Sequence, residues 1–203
     1  MNDENYSLKN LTIMELARQD LLTNGIRKFS VDLFASQHHI SKKTIYQAFS
    51  SKEELINNVL LYHFESLFQE VAAIPDQTDQ PLKQVFLILK TIMNTLARIN
   101  PQFTLEIKLY YPQIWQRVEQ LQNEIINRII NCLSRAQELG QVRPDLDLHF
   151  VAILIIRIAQ NTFQPEFFIQ TSYSISDLVR LFTDLVINGM LSSNEKFYFN
   201  ELA

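Results

Sequence analysis

Residues 31–55, VDLFASQHHISKKTIYQAFSSKEEL, decide the fold. Val31, Phe34 and Ala35 fall at i, i+3 and i+4, which is one face of a short helix. Ser30 stands where that helix needs an N-cap. His38-His39-Ile40 reads as a tight turn with Ile40 as an apolar plug. Ser41 then caps a second short helix in which Ile45 and Phe49 point inward. Ser51 and Glu54 have the spacing of a capping box at the start of a third helix. Two short helices joined by a tight turn, with a capped exit, form a helix-turn-helix.

With Ile45 and Phe49 inward, Lys42, Lys43, Thr44, Tyr46 and Gln47 remain on the outer side, with Ser41 at their head. A short helix that opens with two lysines, a hydroxyl and a phenol has little reason to bury that end. It suits the phosphates and base edges of a DNA major groove. In this reading Lys42, Lys43 and Lys52 neutralise phosphates and Tyr46 hydrogen-bonds one. Thr44 and Gln47 come nearest the bases, where Gln can pair with adenine and the Thr methyl can meet thymine.

The charge distribution agrees with this once it is divided. The chain of 203 residues has a net charge of −4. From Lys9 to Lys52 there are seven Lys or Arg against three acids, a net of +4, which leaves −8 for the rest. A small basic reader attached to an acidic body fits this asymmetry.

The stretch resembles the TetR-like bacterial transcriptional regulators. The matching pieces are Asn24-Gly25 closing the first helix, Ala35, Ile40-Ser41, Thr44-Ile45-Tyr46, Phe49, and Ser51-Lys52-Glu53 with Leu55. Together they cover residues 10 to 60 and are specific as a string. One position departs: the family usually has glycine in the turn, where this chain has His39. Glycine suits a positive φ there, and histidine adopts it at some cost.

Composition and periodicity give an all-α chain, with an N-terminal three-helix helix-turn-helix domain and a larger helical ligand-binding and dimerisation domain. Three glycines and six prolines argue against a turn-rich β protein. The expected domains are residues 1–51 for DNA and 52–203 for effector and dimer, with a helix over 52–73 connecting them. Further helices are expected from Pro81 to before Asn100, over 102–110, and from Pro112 to Leu139. Two more follow, one capped by Asp147 and limited by Pro165, the other running from Ser174 or Ser176 to Gly189.

The last two helices carry a second clue. Phe150 to Ile156 is apolar around the full circumference, and such a helix must be covered on both sides. The stretch from Leu178 to Ile187 repeats the pattern. The expected interface of a homodimer is Val151, Leu154, Ile155 and Ile158 with Leu178, Phe182, Leu185 and Val186. The family resemblance implies the same pairing, since TetR-like proteins dimerise through their last two major helices.

Between reader and interface lie many aromatics. Phe86, Met93, Phe103, Tyr110, Trp115, Phe163 and Phe167 are the expected lining of a pocket for a small, largely apolar ligand, with Tyr111 and Phe168 nearby. The resemblance implies an effector site in this region. Ligand binding is expected to tilt the connecting helix and misplace the two readers on a palindromic operator.

An enzyme is not expected. The histidines, at 38, 39, 63 and 149, offer no metal-ligand spacing, and no glycine-rich phosphate loop exists. Cys132 reads as a small core residue, and one cysteine makes neither an internal disulfide nor a zinc site by itself. No cofactor or metal is expected. The N-terminus lacks a signal pattern and Phe150–Ile156 is far short of the roughly 20 residues that span a bilayer, so a cytoplasmic protein without membrane contact is expected. The expected function is a sequence-specific DNA-binding regulator, a repressor released by a ligand. The alternatives are an activator or ligand-independent regulator of the same fold, or a helical small-molecule carrier that does not bind DNA.

Overall fold

The computed structural model describes residues 7–96, 98–99, 101–162, 171 and 173–192. Its elements are α1 (Leu8–Asn24), α2 (Val31–Gln37), α3 (Lys42–Ala48), α4 (Lys52–Ala72), a 3-10 turn Ile74–Asp76, α5 (Pro81–Leu96), α6 (Pro101–Tyr110), α7 (Pro112–Glu138), α8 (Leu148–Thr162) and α9 (Ile175–Phe182). A π-helical turn, Thr183–Ile187, and a last helical turn, Asn188–Met190, continue α9. An isolated antiparallel bridge pairs Val142 with Leu191. Among the described residues no helix is long and apolar enough to cross a membrane.

The helix boundaries follow local chemistry. Ser7 caps α1 by accepting from the Asn10 N–H at 3.2 Å, and Gly25, at φ 83°, ends it. Prolines open α5, α6 and α7, where a missing N–H costs nothing. Asp147 accepts from the N–H groups of His149 and Phe150 and so caps α8. Two caps differ from the sequence expectation. Ser30 occupies the N-cap position of α2, but its side chain makes no capping bond. At α4, Ser51 accepts from the Glu54 N–H at 3.0 Å, while the Glu54 carboxylate returns to the N–H and hydroxyl of Ser50. The reciprocal half of the box is therefore displaced by one residue.

The chain forms two compact units. The first takes Met1–Phe68 and Arg98–Leu121, and the second takes Gln69–Ala97 and Gln122–Ala203. The first unit thus reaches well beyond residues 1–51. Its core joins Ile13, Met14 and Ala17 of α1 and Phe34 of α2 to Leu55, Ile56 and Leu60 of α4. Phe103 and Ile107 of α6 and Ile114 and Val118 of α7 complete it. Periodicity shows which face of α6 is apolar, but not which core receives it. In the second unit α5 packs against α8, and the faces carrying Phe86, Leu89 and Met93 of α5 and Ala152, Ile155 and Ala159 of α8 are buried.

Candidate nucleic-acid interface

The turn between α2 and α3 sets the reader. Ile40 donates to the Ala35 carbonyl at 2.9 Å and His39 to the Ser36 carbonyl at 3.4 Å, which is the bonding of a Schellman helix end. That motif places its penultimate residue in the left-handed region, and His39 has φ 54°. The histidine therefore does adopt the conformation for which glycine is the usual choice. His38, one residue earlier, stacks on Phe34 with ring centroids 4.8 Å apart and lies 3.4 Å from Asp20.

Ser41 caps α3 by accepting from the Thr44 N–H at 3.0 Å, and its hydroxyl and that of Thr44 share a hydrogen bond at 2.8 Å. The Thr44 hydroxyl is thereby occupied within the chain. Ile45 is buried from α3, and Phe49 is buried just after it. Lys42, Lys43, Tyr46 and Gln47 are exposed, Tyr46 at 47%. Every polar side chain expected to read DNA from α3 thus lies on the side away from these two anchors, with Thr44 half-buried at its edge.

Two of the expected phosphate ligands have partners inside the chain. Lys42 Nζ is 2.6 Å from Asp32 Oδ1 of α2, and both side chains are largely exposed. Lys52 Nζ donates to the Phe29 carbonyl at 2.6 Å. The Phe29 ring lies 5.5 Å from that of Phe34, so Lys52 ties the start of α4 to the loop that launches α2. Sequence spacing gave no sign of either contact.

The expected ligand lining is divided between the two units. Phe103 is fully buried in the first unit's core, and Trp115 and Tyr111 pack against that core. Trp115 Nε1 donates to Glu119 at 2.7 Å. Tyr110 is exposed, with the Arg27 guanidinium 5.9 Å from its ring centroid. Phe86 and Met93 are buried in the second unit. Phe163 and Phe167, with Phe168, lie outside the described residues. Phe103 and Trp115 serve one core and Phe86 and Met93 another, because α6 is apolar toward α1.

The second unit has a cleft of about 170 Å³ that sequence reading missed. Val71, Ile74 and Ile88 give it apolar walls, and Arg128, Cys132 and Arg135 line it from α7. Those three stand at i, i+4 and i+7, a spacing that could have been noticed. The buried Gln84 amide donates to the Thr78 carbonyl at 2.6 Å and its oxygen accepts from the Cys132 thiol at 3.2 Å. Burial pushes the thiol pKa up, against the pull of Arg135 and Arg128. Arg135 donates to the Asp79 carbonyl at 3.2 Å.

Of the expected interface residues, Ile155, Leu178 and Phe182 are buried within the single chain. Leu154 and Leu185 are 43% and 74% exposed, and Val151, Ile158 and Val186 are half-buried. Phe150 and Leu181 are also exposed. The split on α9 has a physical cause. A continuous α-helix would keep Leu178, Phe182 and Leu185 on one face, but the π turn adds a residue to the cycle. The buried positions therefore run Leu178, Phe182, Thr183, Ile187, Met190, and Leu185 faces outward.

Comparison with known proteins places this geometry. Residues 13–59 match the family described as bacterial regulatory proteins, tetR family. The HTH-type transcriptional regulator YvaF of Bacillus subtilis is 20% identical over 171 residues, 82% of this chain and 88% of that protein. The HTH-type transcriptional repressor KstR2 of Mycobacterium tuberculosis is 24% identical over 143 residues, 68% and 72% of the two chains. The solved structure of KstR2, described as a ketosteroid transcriptional regulator, superposes with a TM-score of 0.68 at 19% identity, covering 91% and 96%. That of AibR in complex with isovaleryl coenzyme A and operator DNA gives 0.58 at 14% identity, covering 76% and 85%. Residues 13–59 are a TetR-family DNA-binding domain, and over most of its length the chain resembles TetR-like transcriptional regulators.

Proposed function

We propose that the protein is a repressor that occupies a palindromic operator as a homodimer and is released by a small, largely apolar ligand. The observation that carries the DNA part is α3, which anchors itself by Ile45 and leaves Lys42, Lys43, Tyr46 and Gln47 exposed. Lys42 and Lys43 bind phosphates, with Lys52 and Ser41 at the two flanks of the contact. Tyr46 hydrogen-bonds a phosphate. Gln47 reads a base edge, and Thr44, whose hydroxyl is shared with Ser41, presents its methyl. Residues 1–51 are the reading domain in this proposal and 52–203 the effector and dimerisation domain.

Repression is supported by the name of KstR2, and ligand control by the complex that AibR forms with isovaleryl coenzyme A. We place the ligand in the second unit, beside α5, where Phe86 and Met93 lie on the helix that also forms one wall of the cleft. The dimer uses the exposed Leu154 of α8 and Leu185 of the π turn, flanked by Val151, Ile158 and Val186. Two readers about 34–36 Å apart then engage successive major grooves together.

Fluorescence anisotropy on the duplex upstream of the protein's own gene tests this reading. The double change Lys42→Ala, Lys43→Ala should weaken binding to all duplexes and flatten the log K against log salt slope by about 0.9 per lost contact. Gln47→Ala should relax preference at one or two positions, at roughly 1–3 kcal/mol each. An unchanged slope removes the lysines from the interface. For the ligand, thermal melting with isovaleryl coenzyme A and with free short-chain acids is the first screen. A compound that raises the melting point should also release the duplex.

A further inference from the structure

The geometry points to Glu106 as a positioning residue for DNA recognition, acting from α6 on the loop between α1 and α2. Glu106 is 8% exposed. Its Oε2 accepts from the Ile26 N–H at 2.5 Å and from the Arg27 N–H at 3.1 Å, eighty and seventy-nine residues earlier in the chain. A buried carboxylate holding two adjacent backbone donors is a strong, oriented contact. Gly25 makes room for it: a Cβ there would stand 3.2 Å from that same oxygen. One helical turn further along α6, Tyr110 lies under the Arg27 guanidinium. The loop is therefore gripped at two successive points of a helix outside the helix-turn-helix.

The grip is connected to the reader by contacts already described. Phe29, three residues after Ile26, gives its carbonyl to Lys52 at the head of α4 and its ring to Phe34. Phe34 stacks on His38, whose neighbour His39 forms the left-handed turn into α3. The loop thus sits behind both ends of the motif, the entry to α3 and the exit after it. Freeing Ile26 and Arg27 would leave two donors without their acceptor and let the loop, and α2 with it, take other positions. The α3 side chains would remain intact while their placement against a duplex became variable. This inference rests on the reading of α3 as the DNA-contacting helix.

The test uses the full chain with Glu106→Gln and Glu106→Leu. Gln keeps an acceptor oxygen in place without the charge, and Leu removes it. Three quantities are measured for each: amide exchange of the peptide containing Ile26 and Arg27, the melting temperature, and affinity for the gene's upstream duplex and a random duplex of equal length. Affinity is read at a temperature where every variant is fully folded, so that a residue of purely structural importance would lower the melting point alone. Glu106→Leu should speed exchange at Ile26 and Arg27 and weaken upstream binding by about tenfold or more, the scale of one charge-assisted hydrogen bond. Glu106→Gln should fall between it and wild type on both measures. Should the leucine variant not fold, the glutamine variant decides: faster exchange with wild-type affinity overturns the inference. Unchanged affinity of a folded Glu106→Leu overturns it as well. A wild-type protein that binds neither duplex would overturn the DNA reading itself, and this inference with it.

Discussion

His63 makes the stability of the first unit depend on pH in a calculable way. It lies on α4, buried, and among the described residues its Nε2 has no hydrogen-bond partner. Burial, reinforced by the charge of Arg18 and partly offset by Glu15, lowers its pKa from 6.5 to about 4. The unfolded chain takes up a proton near pH 6.5 and the folded chain only near pH 4. The neutral histidine's contribution is therefore whole above pH 6.5 and is lost as the pH falls toward 4. Each tenfold change in proton affinity is worth about 1.4 kcal/mol, so the full loss is about 3 kcal/mol, with about 1.4 kcal/mol gone by pH 5.5. Against a total stability on the order of 5–15 kcal/mol this is large. Urea unfolding at pH 7.5, 5.5 and 4.5, followed by the fluorescence of Trp115 in the same unit, measures it. His63→Leu should cost little at pH 7.5, because no hydrogen bond to Nε2 is lost, and should flatten the pH dependence. If wild type and His63→Leu lose stability in parallel down to pH 4.5, the assignment is refuted.

Other residues give sharper single tests. His39→Gly relieves a left-handed histidine and should stabilise the protein by about 0.5–1 kcal/mol after the greater freedom of glycine in the unfolded chain is counted; a lower melting temperature would contradict the strain. Asp32→Asn should leave stability within about 0.5 kcal/mol, since the pair with Lys42 is exposed. It should also raise DNA affinity and steepen the salt dependence, and an unaltered slope would show that Lys42 does not reach the duplex. Leu154→Glu and Leu185→Lys change exposed positions, so circular dichroism should show a folded chain while sedimentation shows loss of the dimer. A wild-type protein that sediments as a monomer at micromolar concentration yet binds a full palindrome tightly would defeat the dimer proposal.

The helix-turn-helix was legible because its determinants are local. Ser41, Ile45, Phe49 and the cost of His39 can be read from spacing and backbone preference alone, and each takes the expected position. The helix ends at Gly25 and the starts at Pro81, Pro101 and Pro112 follow from residues that permit few alternatives. What failed to show was long-range. Glu106 is one of many glutamates until Gly25 and two amides meet it, and nothing in its neighbours marks it as buried. The division of Phe103 from Phe86 depends on which core receives α6. The parting of Leu185 from Leu178 and Phe182 has a different origin, since the helical period changes within Thr183–Ile187.

The π turn at Thr183–Ile187 means that the outward face of the last helix is held by residue count rather than by residue type. Removing one residue there and restoring an ordinary α period would leave everything that follows on its present face, because the extra residue and the wider turn cancel. Losing the π turn at constant length would instead rotate it by about 100°. In that second case Ile187 would swing out and its neighbours in, with no change in composition. An amino-acid substitution could alter this surface only one side chain at a time. Loss of the π turn at constant length would exchange the whole of it at once. Related chains with one residue fewer and an ordinary α turn here would therefore present the same face to any partner, and chains of equal length without the π turn a different one.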